Sequence, residues 1–197
     1  MPGVRSSAIC LGIAVIMSGC ASLDGGLSDP PRGRLQGTLL LQWSSEDGFI
    51  YVPDPTDPLI YALAGKPPIQ PGRMYTDGGS IPRVFWSVKG FSPWAYGPAY
   101  ILHDWLFNEH RCRRLPEAPD GYSLIEANAV LYDAIGILVA QGKADSNGEA
   151  RRLIKWAVDA FGQTAWAGPC VKPPPSPSPQ ALRAARPITL YKVTLGR

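Results

Sequence analysis

The hydrophobic pattern changes character along the chain. Residues 8–17 form one uncharged, mostly apolar run, and Arg5 is the only charge before it. Later apolar residues come in short bursts. Thr38–Trp43 and Phe49–Val52, separated by Ser-Ser-Glu-Asp-Gly, predict a β-hairpin, and Leu59–Leu63 between Pro58 and Gly65 predicts a third strand. Residues 66–98 are broken by Pro and Gly and read as loop, unusually rich in aromatics. The spacing then turns helical. Pro98 suits a first helical turn, and Ala99–Glu109 follows as a largely apolar helix. Ser123-Leu-Ile-Glu126 is a capping-box signature that opens a helix to about Ala140, with Gly142 as its stop. Asn147 caps a third helix to about Phe161, with Leu153, Ile154, Ala157 and Phe161 at core spacing. Beyond a stiff Pro173–Pro179 linker, Ile188–Leu195 predicts a terminal strand that can close onto the hairpin. There is no internal repeat. The expected class is α+β, a small antiparallel β-sheet packed with three helices.

The N-terminal run has the form of a secretory signal: one basic residue, an apolar stretch of about ten residues and a small-residue cleavage site. It is too short to span a bilayer, which takes roughly 20 apolar residues. It closes on Met17-Ser18-Gly19-Cys20. This resembles the bacterial lipobox, with methionine where leucine is usual. The resemblance implies cleavage before Cys20, diacylation of Cys20 and a membrane-anchored lipoprotein of the cell envelope, held in lipid by two acyl chains. The bland alternative is a plain secretory signal with an incidental cysteine. The expected organisation is a signal at 1–19, a flexible Gly/Ser/Asp/Pro-rich tether at 20–37, a globular domain at 38–170, and a Pro-rich linker with the last strand at 171–197.

Charge and cysteine content narrow the function classes. Residues 171–197 carry five basic side chains and no acidic one, against 16 acids earlier in the chain. Such scattered charge reads as a solvated tail that could touch anionic headgroups. No basic stripe interleaved with aromatics supports nucleic-acid binding. Removal of Cys10 and acylation of Cys20 would leave Cys112 and Cys170 as the only pair available for a disulfide. Two histidines, His103 and His110, make a Cys/His zinc site a poor expectation. Neither a nucleophile elbow nor a phosphate-cradling glycine loop occurs.

Two motifs carry candidate chemistry: Tyr75-Thr-Asp-Gly-Gly-Ser-Ile-Pro-Arg83 and Tyr100-Ile-Leu-His-Asp-Trp-Leu-Phe-Asn108. With the following Glu126-Ala-Asn-Ala-Val-Leu-Tyr-Asp-Ala-Ile135 and Phe161-Gly-Gln-Thr-Ala-Trp166, they resemble the bacterial and phage domain-of-unknown-function family 1353, across roughly Leu39–Trp166. That family implies a fold extent and no activity. A looser likeness is to secreted phospholipases of the A2 type. There a helix histidine activates water, the adjacent aspartate and an upstream loop hold calcium, and an aspartate of a second helix orients the histidine. By that likeness His103 matches the base, Asp104 a calcium ligand, and Asp77 with Gly78 the loop ligands. The second helix departs from the pattern, because Asn128 stands where aspartate is expected. An amide orients an imidazole but does not stabilise its cation electrostatically.

Each residue also has a structural reading. Asp77-Gly-Gly-Ser80 can be a turn, His103 a hydrogen-bonded core histidine, and Asp104 half of an ion pair with Arg83 or another arginine. Phe85, Trp86, Phe91, Trp94 and Tyr96 can pack a loop over the helices, or line a ligand groove or membrane face. Two functions follow. The first is a lipid-anchored envelope lipoprotein with a binding or structural role, whose partner is the lipid around acylated Cys20. The second is a calcium-assisted ester or phospholipid hydrolase built on His103, Asp104 and Asp77.

Overall fold

The computed structural model describes residues 30–44, 48–79, 92, 94–112, 121–175 and 189–196. The signal segment with Cys20 lies outside them, as do Ser80, Arg83, Phe85, Trp86 and Phe91.

The chain folds as α+β. Strand β1 (Arg34–Ser44) pairs with β2 (Gly48–Tyr51), β3 (Ile60–Ala62) and the C-terminal β5 (Thr189–Leu195), and β2 pairs with β4 (Met74–Thr76); every pairing is antiparallel. The hairpin and the closing terminal strand follow the sequence expectation. Two corrections concern lengths. The strand begins at Arg34, so Arg34–Gly37 belong to the sheet rather than to a tether. Just before them, the Arg32 and Gly33 amides donate to the Asp133 carboxylate at 2.7 and 2.8 Å. The polar, glycine-containing composition that suggested a tether hides this pairing, because backbone and a distant carboxylate supply the partners. Strand β4 falls in a stretch read as loop. Its three residues, flanked by Gly72 and Asp77, are too few to show alternation.

Leu35, Leu39 and Leu41 of β1 are buried on the face that meets the helices. Helix α1 (Gly97–Arg111) starts with Pro98 in its first turn and contributes Ile101, Leu102 and Leu106 to the core. Helix α2 (Leu124–Ala140) opens on the expected capping box. Ser123 Oγ accepts from the Glu126 amide at 3.3 Å, and the Glu126 carboxylate accepts from the Ser123 amide at 2.9 Å. Lys66 lies 2.7 Å from the same carboxylate, which is held down to about 2 by Lys66 and the Ser123 backbone. Helix α3 (Gly148–Trp166) is capped by Asn147, whose side chain accepts from the Glu149 and Ala150 amides.

The third helix departs from its expected face. It continues to Trp166, and its buried row is Ala150, Ile154, Gly162 and Trp166, spaced by four and eight residues. Leu153 and Phe161, expected in the core, are 37% and 62% exposed. Period alone does not distinguish a row from its neighbour some 100° around the helix; packing against α2, where Leu124 approaches Gly162, settles the choice. Of the aromatic cluster, Tyr96 is fully buried and Trp94 packs edge-on against Phe49 with ring centres 4.8 Å apart, so both serve the core. Cys112 and Cys170 are joined in a disulfide that ties the end of α1 to the segment after α3.

Candidate functional site

A cleft of about 450 Å³ opens between α1, α3 and the β4 loop, and both sequence motifs contribute to it. Asp77, Gly78, Tyr100, His103 and Asp104 share its wall with apolar Met74, Leu131, Ile154 and Phe161. Asp77 and Gly78 of the loop and the helix histidine, separate in sequence, are therefore neighbours in space.

The loop is shaped by its glycines. Gly78 has φ +79°, a left-handed conformation that side chains rarely tolerate, and a Cβ on Gly79 would lie 2.7 Å from the Tyr100 ring. The Gly78 amide donates to Thr76 Oγ1 at 3.0 Å, and the Thr76 hydroxyl donates to Asp104 Oδ2 at 3.1 Å. This short relay locks the loop to α1. Burial pushes the Asp104 carboxyl up to about 7, and the nearby Asp77 carboxylate adds to the rise against the opposing Thr76 bond and Arg111. Among the described residues Asp104 makes no ion pair, and the arginine partner expected for it, Arg83, lies outside them.

His103 is held from the other side. Its Nε2 lies 3.1 Å from Asn128 Oδ1, while Asn128 Nδ2 donates to Asp159 Oδ1 at 3.4 Å. Asp159 also accepts from the Tyr132 hydroxyl at 2.7 Å and from Lys155 at 2.6 Å. Burial raises the Asp159 carboxyl, but the bonds from Lys155, Tyr132 and Asn128 prevail and keep it below its ordinary value. An ionised carboxylate only accepts, so the amide nitrogen of Asn128 faces Asp159 and its oxygen faces His103. Nε2 then carries the ring hydrogen, and Nδ1 keeps the lone pair. Burial lowers His103 to about 4 against the Asn128 bond, with Arg111 adding to the fall. The ring packs on Phe107 with centres 4.2 Å apart.

Sequence reasoning found His103, Asn128, Asp104, Asp77 and Gly78, and the fold brings all but Asn128 into the cleft wall, with Asn128 behind His103. It missed Asp159, Thr76 and Tyr100. The available signal was two i,i+4 pairs, Asn128/Tyr132 on α2 and Lys155/Asp159 on α3, which place polar groups on facing helices. Asp133, the other acid of α2, points away and accepts from the Tyr61 hydroxyl at 2.8 Å. Among the described residues the buried Tyr100 hydroxyl has no hydrogen-bond partner, and burial pushes it well above the ordinary tyrosine range. Asn108 Oδ1 accepts from the Val171 amide at 3.0 Å, holding the disulfide-linked segment as the last side of the cleft.

Asp77 and Asp104, both on the cleft wall, are the carboxylates a hard cation would take there. Among the described residues no three His, Cys, Asp or Glu side chains converge as a metal site. Burial and the neighbouring Asp77 carboxylate nevertheless disfavour ionisation of Asp104, a penalty of the kind a bound divalent cation relieves. Also among the described residues, no helix is long and apolar enough to cross a membrane.

Comparison with known proteins adds no assignment: no protein-family model, no curated protein and no solved structure matches the chain. The likenesses to family 1353 and to the A2 phospholipases rest on the motifs alone.

Proposed function

We propose that this protein is a lipid-anchored envelope lipoprotein whose cleft binds an amphipathic ester and hydrolyses it, with His103 as the base. The observation that supports the reading is the relay Asp159–Asn128–His103, whose histidine end lines the same cleft as Asp104. It answers the weakness seen in the sequence. The carboxylate absent from position 128 is supplied one hydrogen bond further on, by Asp159.

In this reading His103 Nδ1 takes a proton from a water as that water adds to the ester carbonyl, and the imidazolium returns it to the leaving alkoxide as the acyl–oxygen bond breaks, giving acid and alcohol. Asn128 holds the ring, and Asp159 offers negative charge to the imidazolium through the amide. Asp77, Asp104 and the Gly78 carbonyl would hold calcium, which when bound stabilises negative charge developing on the ester oxygen. The apolar wall of Met74, Leu131 and Ile154 takes the hydrocarbon part of the substrate.

One observation favours the second reading, a binding protein without turnover. A histidine held at about 4 is unprotonated at neutral pH, the form a base needs, yet it is a weak base there. Calorimetric titration with calcium and turnover of a short-chain ester, on wild type, His103→Ala and Asp104→Asn, separate the two. The hydrolase reading expects His103→Ala to keep calcium heat and lose turnover, and Asp104→Asn to lose both. A wild type that binds amphiphile but shows neither calcium heat nor turnover is a binding protein.

A further inference from the structure

Helix α3 turns part of its apolar surface outward. Trp156 and Phe161 are 59% and 62% exposed, and their rings meet edge to face at 5.6 Å, with Leu153 one turn before Trp156. Phe161 also lines the cleft, as does the exposed Val171 on the opposite lip. The patch is thus continuous with the mouth of the site. An indole and a phenyl ring held together in water leave apolar area exposed that a monomer gains nothing by showing.

The position of the N-terminal segment says what can cover it. Arg32 and Gly33 are fixed to Asp133 on α2, and its neighbour Tyr132 bonds to the Lys155 carbonyl and to Asp159 of α3. The described chain therefore enters the fold one helix away from the patch. Pro30 is ten residue steps from Cys20, and at most about 3.6 Å per step sets a reach of roughly 36 Å. An acyl anchor on Cys20 thus lies within reach of a bilayer that touches α3. Trp and Phe suit the headgroup boundary, and Lys172 on the cleft wall complements anionic lipid.

We propose that the Leu153–Trp156–Phe161 face of α3 rests on the bilayer that holds the acyl chains, so the cleft opens onto the membrane and its substrate class is membrane lipid. This rests on the lipoprotein and hydrolase reading above and adds the surface and the source of substrate. The test uses the full acylated protein in vesicles of zwitterionic and anionic phospholipid whose acyl chains carry bromine, a short-range quencher of indole fluorescence. Wild type should show a quenched component that Trp156→Phe removes. Equal quenching in the two proteins overturns the proposal, as does an unquenched Trp156 buried in a concentration-dependent dimer or a protein complex. The variant Leu153→Ser/Trp156→Ser, outside the cleft, should lose about tenfold in turnover of vesicle lipid, the equivalent of one anchoring contact. Its turnover of a soluble short-chain ester should stay unchanged. If no ester of either kind is turned over by wild type, the hydrolase reading fails, and the quenching result still decides the docking face. If Cys20 bears no lipid, the same quenching on the unacylated protein decides it.

Discussion

Asn128 stands between His103 and Asp159, its amide oxygen 3.1 Å from the histidine Nε2 and its amide nitrogen 3.4 Å from the carboxylate. An amide in that position works as an adaptor with a fixed sense. Asp159 determines which way the amide faces, and the amide determines which ring nitrogen of His103 carries hydrogen. The buried part of the site is therefore organised from α3, although its histidine is on α1.

Removing Asp159 should be visible at His103 without any assay of activity. In Asp159→Ala the Asn128 amide loses the partner that fixes its sense, and the ring should change from one tautomer to a mixture. Nitrogen-15 chemical shifts of the imidazole measure this directly. Asn128→Asp is the complementary variant. A carboxylate at 128 should raise His103 above about 4, but it faces Asp159 as a like charge. The double variant Asn128→Asp/Asp159→Asn should therefore raise His103 further. A single unchanged tautomer in Asp159→Ala would show that the relay does not orient the ring.

Stability against pH should carry opposing contributions from the two neighbours on α1. His103 is lowered from 6.5 to about 4 by folding, so its contribution is fully present above about 6.5 and is lost as pH falls toward 4. Asp104 is raised from 3.8 to about 7, so the protonated form is favoured in the fold, and stability is lost as pH rises from about 4 to 7. Between these limits the two slopes oppose each other. In calcium-free buffer Asp104→Asn should be more stable than wild type at pH 8. Its stability should also rise more steeply with pH between 4 and 6.5, since the opposing slope of Asp104 is gone. Urea denaturation at several pH values checks both, and a variant less stable than wild type at pH 8 would contradict a net cost of burying the Asp104 carboxylate.

Breaking the disulfide should loosen one wall of the cleft as well as the fold. A bridge across 58 residues removes loop entropy worth about 4 kcal/mol in the chain-entropy account. The double variant Cys112→Ala/Cys170→Ala should lose about 2–5 kcal/mol. Hydrogen exchange at the Val171 amide, bonded to Asn108, should rise more than at the core amides of α2. Equal protection in both forms would place the wall's rigidity elsewhere.

Export is tested at a single atom. Cys20→Ser should abolish acyl labelling and membrane retention, because the N-terminal apolar run is too short to anchor by itself and no described helix can span a membrane. Continued palmitate labelling with detergent-phase partition would overturn the lipobox reading.

What the sequence by itself determined lies close along the chain. Ser123 and Glu126 are three residues apart, and Asn147 sits two and three residues from the amides it caps, so local chemistry alone set where α2 and α3 begin. The hairpin, the helices and the grouping of Asp77 with His103 and Asp104 were legible for similar reasons, with motif likeness supplying the last. Only the tertiary structure decided the rest. Which row of α3 is buried depends on the surface α2 presents, so Phe161 moved from core to cleft lip. Asp159 is 31 residues from Asn128, and no spacing rule reaches across two packed helices. The low value of His103 and the high value of Asp104 arise from burial, a property of the surrounding atoms rather than of the residue.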